Sequence, residues 1–140
     1  MSFDVYLQDF SDAPADRSVS VGKLVLGPML DTGGARVVTA DGSADVYGAS
    51  EMPLHSLMFT RIAGELAWNV IFDAAVAGDW VVLPIGGRVC IVRDDQAASI
   101  PEDLAVDGHV LVSSGRELRA AATEDISRPL PPAASELGAG

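Results

Sequence analysis

GELAWNVIFDAAVAGDWVVLPIGGRVCIV, residues 64–92, reads as a buried helix, a stop and two apolar strands in one uninterrupted run. Glu65, Asn69 and Asp73 fall four apart and line a narrow stripe of a helix from Glu65 to Ala77, while Leu66, Ala67, Trp68, Val70, Ile71, Phe72, Ala74, Ala75 and Val76 cover the rest. A helix so apolar needs cover on most of its sides. Gly78 reads as its end, a residue free to take the left-handed conformation of a C-terminal cap. Trp80-Val81-Val82-Leu83 then begins a strand apolar on both faces, and Gly86-Gly87 joins it to a second at residues 88–92.

Upstream, residues 56–63 alternate Leu57, Phe59 and Arg61 with Met58, Thr60 and Ile62, a strand leading into the helix. Before it, residues 35–40 and 43–47 around Asp41-Gly42 read as a hairpin, since Asp-Gly suits the positive φ angles of a tight loop. Residues 2–10 alternate Phe3, Val5 and Leu7 with Asp4, Tyr6 and Gln8, giving a first strand with one apolar and one mostly polar face. Between these lie a turn-rich loop and the segment 19–30, where Val21, Leu24, Val25 and Met29 fit helical spacing but Gly22, Gly27 and Pro28 oppose it.

Downstream, Asp94-Asp95-Gln96-Ala97-Ala98-Ser99-Ile100 reads as a short helix with acids in its first turn, stopped by Pro101. Residues 109–113 read as a last strand and 115–122 as one or two helical turns. From Thr123 on, Pro129, Pro131, Pro132 and a Gly-Ala-Gly end form a composition that buries too little surface to order itself. The expected organisation is a single α+β domain over residues 1–122 and a Pro/Ala/Gly-rich flexible tail over 123–140.

The chain has 140 residues, 20 acidic against 9 basic, for a net charge of -11. That balance repels nucleic-acid phosphates and anionic lipid, and suits solubility or a basic protein partner. Hydrophobic residues make up 49%, enough to fill a core and leave apolar surface for a homo-oligomer. A lone cysteine, Cys90, excludes a disulfide framework, and its apolar strand suits a small buried hydrophobe. No run reaches the roughly 18 to 20 apolar residues that cross a bilayer, and the opening is strand-like rather than signal-like, so the expected location is cytoplasmic.

Catalytic and cofactor chemistry finds little to stand on. The only bases for a nucleophile are His55 and His109, both at loop or strand edges, and neither forms a paired-ligand spacing with Cys90. Thr32-Gly33-Gly34 precedes a strand and Ile85-Gly86-Gly87 joins two strands, so neither is a phosphate cradle before a helix. Trp68, Phe72 and Trp80 sit at core spacing. No catalytic residue, metal ligand or cofactor is assigned. Asp94, Asp95, Glu102 and Asp103, bracketing one short segment, are the residues expected at a protein-interaction surface.

The opening Met1-Ser2-Phe3-Asp4-Val5-Tyr6-Leu7-Gln8, the Asp45-Val46-Tyr47 strand, the helix around Trp68, the strand ending Leu83-Pro84 and the later Ile100-Pro101-Glu102-Asp103-Leu104 recur in this order in a group of small bacterial proteins of unassigned activity. The chain resembles that group over residues 1–115. Its members look like the small acidic proteins encoded beside polymorphic toxins, where an immunity protein occludes a toxin by direct binding. The resemblance implies toxin neutralisation and carries over no catalytic residue.

The expected fold is thus α+β, a two-layer sandwich with a mainly antiparallel sheet of five to seven strands and the helix from Glu65 to Ala77 packed on one face. The expected function is a non-enzymatic protein-binding module, immunity-like in its concrete version. Two alternatives stay open. A small enzyme or ligand-binding domain would use a pocket between helix and sheet, reached by Asp73, Cys90, His55 or His109; a phage-derived or structural assembly component would form large symmetric complexes.

Overall fold

The computed structural model describes residues 4–104 and 108–123; the expected tail lies outside them from residue 124 on. Seven described strands, β1 (Val5–Gln8), β2 (Arg36–Val38), β3 (Ser43–Tyr47), β4 (Ser56–Ala63), β5 (Val81–Pro84), β6 (Val89–Ile91) and β7 (His109–Leu111), form one sheet in the order β2-β3-β4-β1-β5-β6-β7. Every pairing is antiparallel except β6 with β7. Helices α1 (Glu65–Gly78) and α2 (Gly115–Ala122) pack on one face, so the α+β two-layer arrangement holds.

Alternation decides which side chains meet α1. Val5 and Leu7 pair across the sheet with Phe59 and Leu57 on one side and with Pro84 and Val82 on the other, and all six are buried on the helix face. Ala67, Trp68, Ile71, Ala74 and Ala75 of α1 and Leu118 of α2 close over them. Together they form one continuous apolar layer, the main stabilising term of the fold.

Four local features differ from the sequence expectation. Gly78 is still helical; the left-handed residue is Asp79 (φ 56°, ψ 45°), whose backbone N–H donates to the carbonyls of Ala75 and Val76. Glycine is needed at 78 because a Cβ there would stand 2.7 Å from the Trp80 ring. Leu66 and Val76 share the exposed stripe of α1 with Asn69 and Asp73, so that stripe is wider than its polar residues suggest. In β4 the expected alternation breaks at a bulge: Asp45 pairs with Thr60 but Ser43 with Ala63, Arg61 takes φ 53°, and Ile62 packs on the core in its place. Finally, Ser18–Leu26 winds as a π-helix, which buries Val21 and Leu26, five apart, and leaves Leu24 exposed.

The start of α1 is capped from a distance. Asp41, in the β2–β3 turn, accepts hydrogen bonds from the backbone N–H of Glu65 (2.9 Å) and Leu66 (3.3 Å). Gly64 (φ 91°) brings the chain against that carboxylate where a side chain would collide with it. For α2 the cap is local: Ser114 accepts from Glu117 N–H at 3.1 Å while the Glu117 carboxylate accepts from Ser113 N–H at 2.8 Å.

Handedness explains why the sheet has two unlike faces. β4 and β5 are parallel neighbours of β1 joined by α1; β6 and β7 are parallel and joined by residues 92–108. Crossovers between parallel strands keep one hand. Both advance the same way across the sheet, yet β6 and β7 run opposite to β4 and β5, so the same hand places the second connection on the face away from α1. Ile100 and Ala97 accordingly pack on Val81, Val89 and Ile91, whose side chains point away from the helices.

Candidate protein-docking face

The face away from the helices is only half covered. Register sets Tyr47 beside Met58, Met58 beside Tyr6, and Tyr6 beside Leu83, a row of large side chains across β3, β4, β1 and β5. Tyr47 is 57% exposed and Tyr6 40%, while Met58 and Leu83 are half-buried between neighbours. Val38 on β2 extends the apolar floor at 49% exposure. An apolar row of this kind on a chain with so many charged side chains available is a departure from the usual solvated strand face.

At the β2 side, Asp45 accepts from Arg36 Nε at 3.1 Å and lies 3.8 Å from Arg61 Nε. The bulge in β4 is what turns Arg61 toward this cluster. Two cations share that one carboxylate. At the opposite side the β6–β7 connection rises as a shoulder beside Leu83. Asp94 and Asp95 lie in its 3-10 helix, Asp94–Ser99, Glu102 and Asp103 follow Ile100, and all four are exposed. These four acids lie on the one segment where the sequence already places them, Asp94 and Asp95 at its start beyond the Ile91 end of β6. Arg93 offsets them in part, with Nη2 3.3 Å from Asp79 and Nε 3.8 Å from Asp95.

Gln96 anchors the shoulder. Its carbonyl oxygen accepts from Val92 N–H (2.8 Å) and Arg93 N–H (3.3 Å), and its amide donates to Asp79 (3.0 Å) and the Trp80 carbonyl (3.2 Å). A buried amide with partners on both atoms fixes its segment to the end of α1. Beneath it, Asp9, Phe10, Asp79, Val81, Asp95 and Ser99 help line a small cavity of about 90 Å³.

The residues a catalytic pocket would need are scattered. Asp73 is on the outer stripe of α1, His109 is exposed at the start of β7, His55 precedes β4, and Cys90 is fully buried under the helices with its thiol donating to the Arg88 carbonyl at 3.4 Å. Between α1 and the sheet, Phe59, Trp68, Ile71 and Trp80 fill the layer where the enzyme or ligand-binding alternative would place its pocket. Among the described residues no group of three or more His, Cys, Asp or Glu is placed to hold a metal ion, and no helix is long and apolar enough to cross a membrane.

Three carboxyls titrate away from their ordinary range. Backbone N–H donors from Leu54 and Ser18 lower Asp16, those of Ser113 lower Glu117, and partial burial raises Asp73. The first two fasten loops and the third rides on α1; none belongs to the open face.

Sequence reading missed the Tyr47–Met58–Tyr6–Leu83 row because its members come from four strands and meet only through register. The signal present was an aromatic on the otherwise polar side of two strands. No protein-family model matches the chain, and no curated protein or solved structure matches it either.

Proposed function

We propose that this chain is a non-enzymatic protein-binding module that docks its partner on the open face of the sheet. The partner lays apolar side chains along Tyr47, Met58, Tyr6 and Leu83 and presents basic groups to Asp94, Asp95, Glu102 and Asp103. The observation that carries this reading is the exposed apolar row with an acidic shoulder beside it, since aromatic contact area flanked by charge is the usual anatomy of a protein interface. The net charge of -11 supports a partner with basic groups. Toxin neutralisation is the version of this activity that an acidic occluding surface would serve.

The test is photo-crosslinking in the native cell, with a photoreactive residue in place of Tyr47 and, as a control on the helix side, in place of Asp73. Discrete protein adducts from position 47 that vanish when Tyr6→Glu is added are expected, with none from position 73. No adduct at 47, or equal adducts at both positions, would overturn the reading.

A further inference from the structure

We infer that the small cavity at the foot of the shoulder is a socket for a lysine side chain of the docked partner. The inference rests on the docking reading above and names the group that fixes the partner's position. Val81 in the cavity wall and Leu83 at the end of the apolar row lie two residues apart on β5, so their side chains leave the same face about 7 Å from one another. A partner lying along Tyr47, Met58, Tyr6 and Leu83 therefore meets the cavity at its next contact.

Asp9 is what gives the cavity a ligand to ask for. It follows β1, is only 8% exposed, and its Oδ1 accepts from Ser11 N–H at 2.8 Å. Oδ2 receives no hydrogen bond from any described residue, and Asp9 stands in the cavity wall. A carboxylate oxygen held away from bulk water without a donor is costly, so the site favours a group that brings one. The neighbouring donors are committed elsewhere: the Gln96 amide to Asp79 and the Trp80 carbonyl, and Arg93 to Asp79 and Asp95.

Charge and shape select an ammonium. Three carboxylates, Asp9, Asp79 and Asp95, line the cavity against the one guanidinium of Arg93, which draws a cation. A metal ion is the poorer fit, because no three His, Cys, Asp or Glu among the described residues are placed to hold one. Guanidinium is also disfavoured, since it pairs best with both oxygens of one carboxylate and Asp9 offers only Oδ2. The hydroxyls of Ser11 and Ser99, also in the wall, make no hydrogen bond among the described residues; with Asp9 Oδ2 they offer three acceptors to the three N–H donors of an ammonium. Phe10 and Val81 supply an apolar wall for the methylene stem in a space of about 90 Å³.

Titration of the isotope-labelled full chain with n-butylammonium, the lysine side chain alone, tests this by NMR at low salt. The Ser11 amide and the Gln96 side-chain amide are expected to shift and saturate with a Kd of about 1 to 10 mM, while the Glu65 amide stays in place. Tetramethylammonium at the same concentration, a cation without N–H donors, gives no saturation. Asp9→Asn, which keeps an acceptor for Ser11 N–H, weakens binding at least about tenfold, and Asp95→Asn, a change to an exposed side chain, at least about threefold. In the cell either variant lowers the yield of the adduct from position 47. Shifts that never saturate, equal saturation by tetramethylammonium, or indifference to both variants overturns the socket. Saturation with an adduct yield unchanged in both variants overturns the partner's lysine as its occupant. A failed titration beside an intact position-47 adduct removes the socket alone; loss of that adduct in the native chain removes the docking reading, and the partner's lysine with it.

Discussion

The two faces of this sheet are built from the same alternating strands and have different fates. On the helix face, Val5, Leu7, Leu57, Phe59 and Val82 disappear under α1 and α2. On the other, the residues between them are covered by the β6–β7 connection over Val81, Val89 and Ile91 and left open over Tyr6, Tyr47 and Met58. The difference teaches that cover here is decided by the hand of a crossover and by what it folds into: residues 64–80 wind into the one α-helix Glu65–Gly78, while the described part of the equally long 92–108 holds only the 3-10 helix Asp94–Ser99.

That contrast breaks first, if it breaks, on the helix face. Phe59→Ala is expected to cost about 3–5 kcal/mol, the usual cost of emptying a filled aromatic site, read as a drop in the urea midpoint at unchanged slope. A cost below about 1 kcal/mol would mean that the layer under α1 is loosely filled. Next comes the covered half of the open face. Gln96→Ala removes an amide with partners on both atoms and is expected to lose about 2–4 kcal/mol, with hydrogen-exchange protection falling at Val92 and Arg93. Loss of protection confined to those amides while α1 stays protected would sharpen the view of the shoulder as a separately fastened piece.

Smaller effects come from the loop carboxylates. Asp16 and Glu117 titrate below their unfolded range, so their contribution to stability is present above the unfolded carboxyl pKa and is lost as pH falls through the folded values. Asp73 works the other way, since its raised pKa lets acidification relieve the ionised form. Asp16→Asn and Glu117→Gln should therefore lower the urea midpoint at pH 7, with the gap to the native chain closing only as pH falls through the lowered folded values, and Asp73→Asn should raise it slightly at pH 7. A gap that persists unchanged in acid would trace the effect to lost shape instead of charge. Least affected is the open floor: Tyr47→Ser is expected to change monomer stability by no more than about 0.5 kcal/mol, a value that would rise if Tyr47 were packed in the monomer.

Much of the helix face was legible in the sequence, because a period of 3.6 in 65–77 and of two in the flanking strands both name their buried residues. Where it failed, the cause was local and silent in the pattern. One extra residue in β4 reverses Arg61 and Ile62; a π-helical turn makes Val21 and Leu26 neighbours; Asp79, not Gly78, takes the left-handed position. The four acids were visible as a cluster, but the face on which they land depends on strand directions across the whole sheet. The apolar row was the least legible, since residues 6, 47, 58 and 83 become neighbours only after four strands have found register.

The carboxylate that closes the first turn of α1 is lent by a hairpin 24 residues earlier in the chain. Until Asp41 arrives, the leading amides of that helix have water for company, so its N-terminal turn matures only with the β2–β3 corner. Assembly of the outermost strands is thereby tied to completion of the central helix, and fraying at the sheet's edge would be felt in the middle of the molecule.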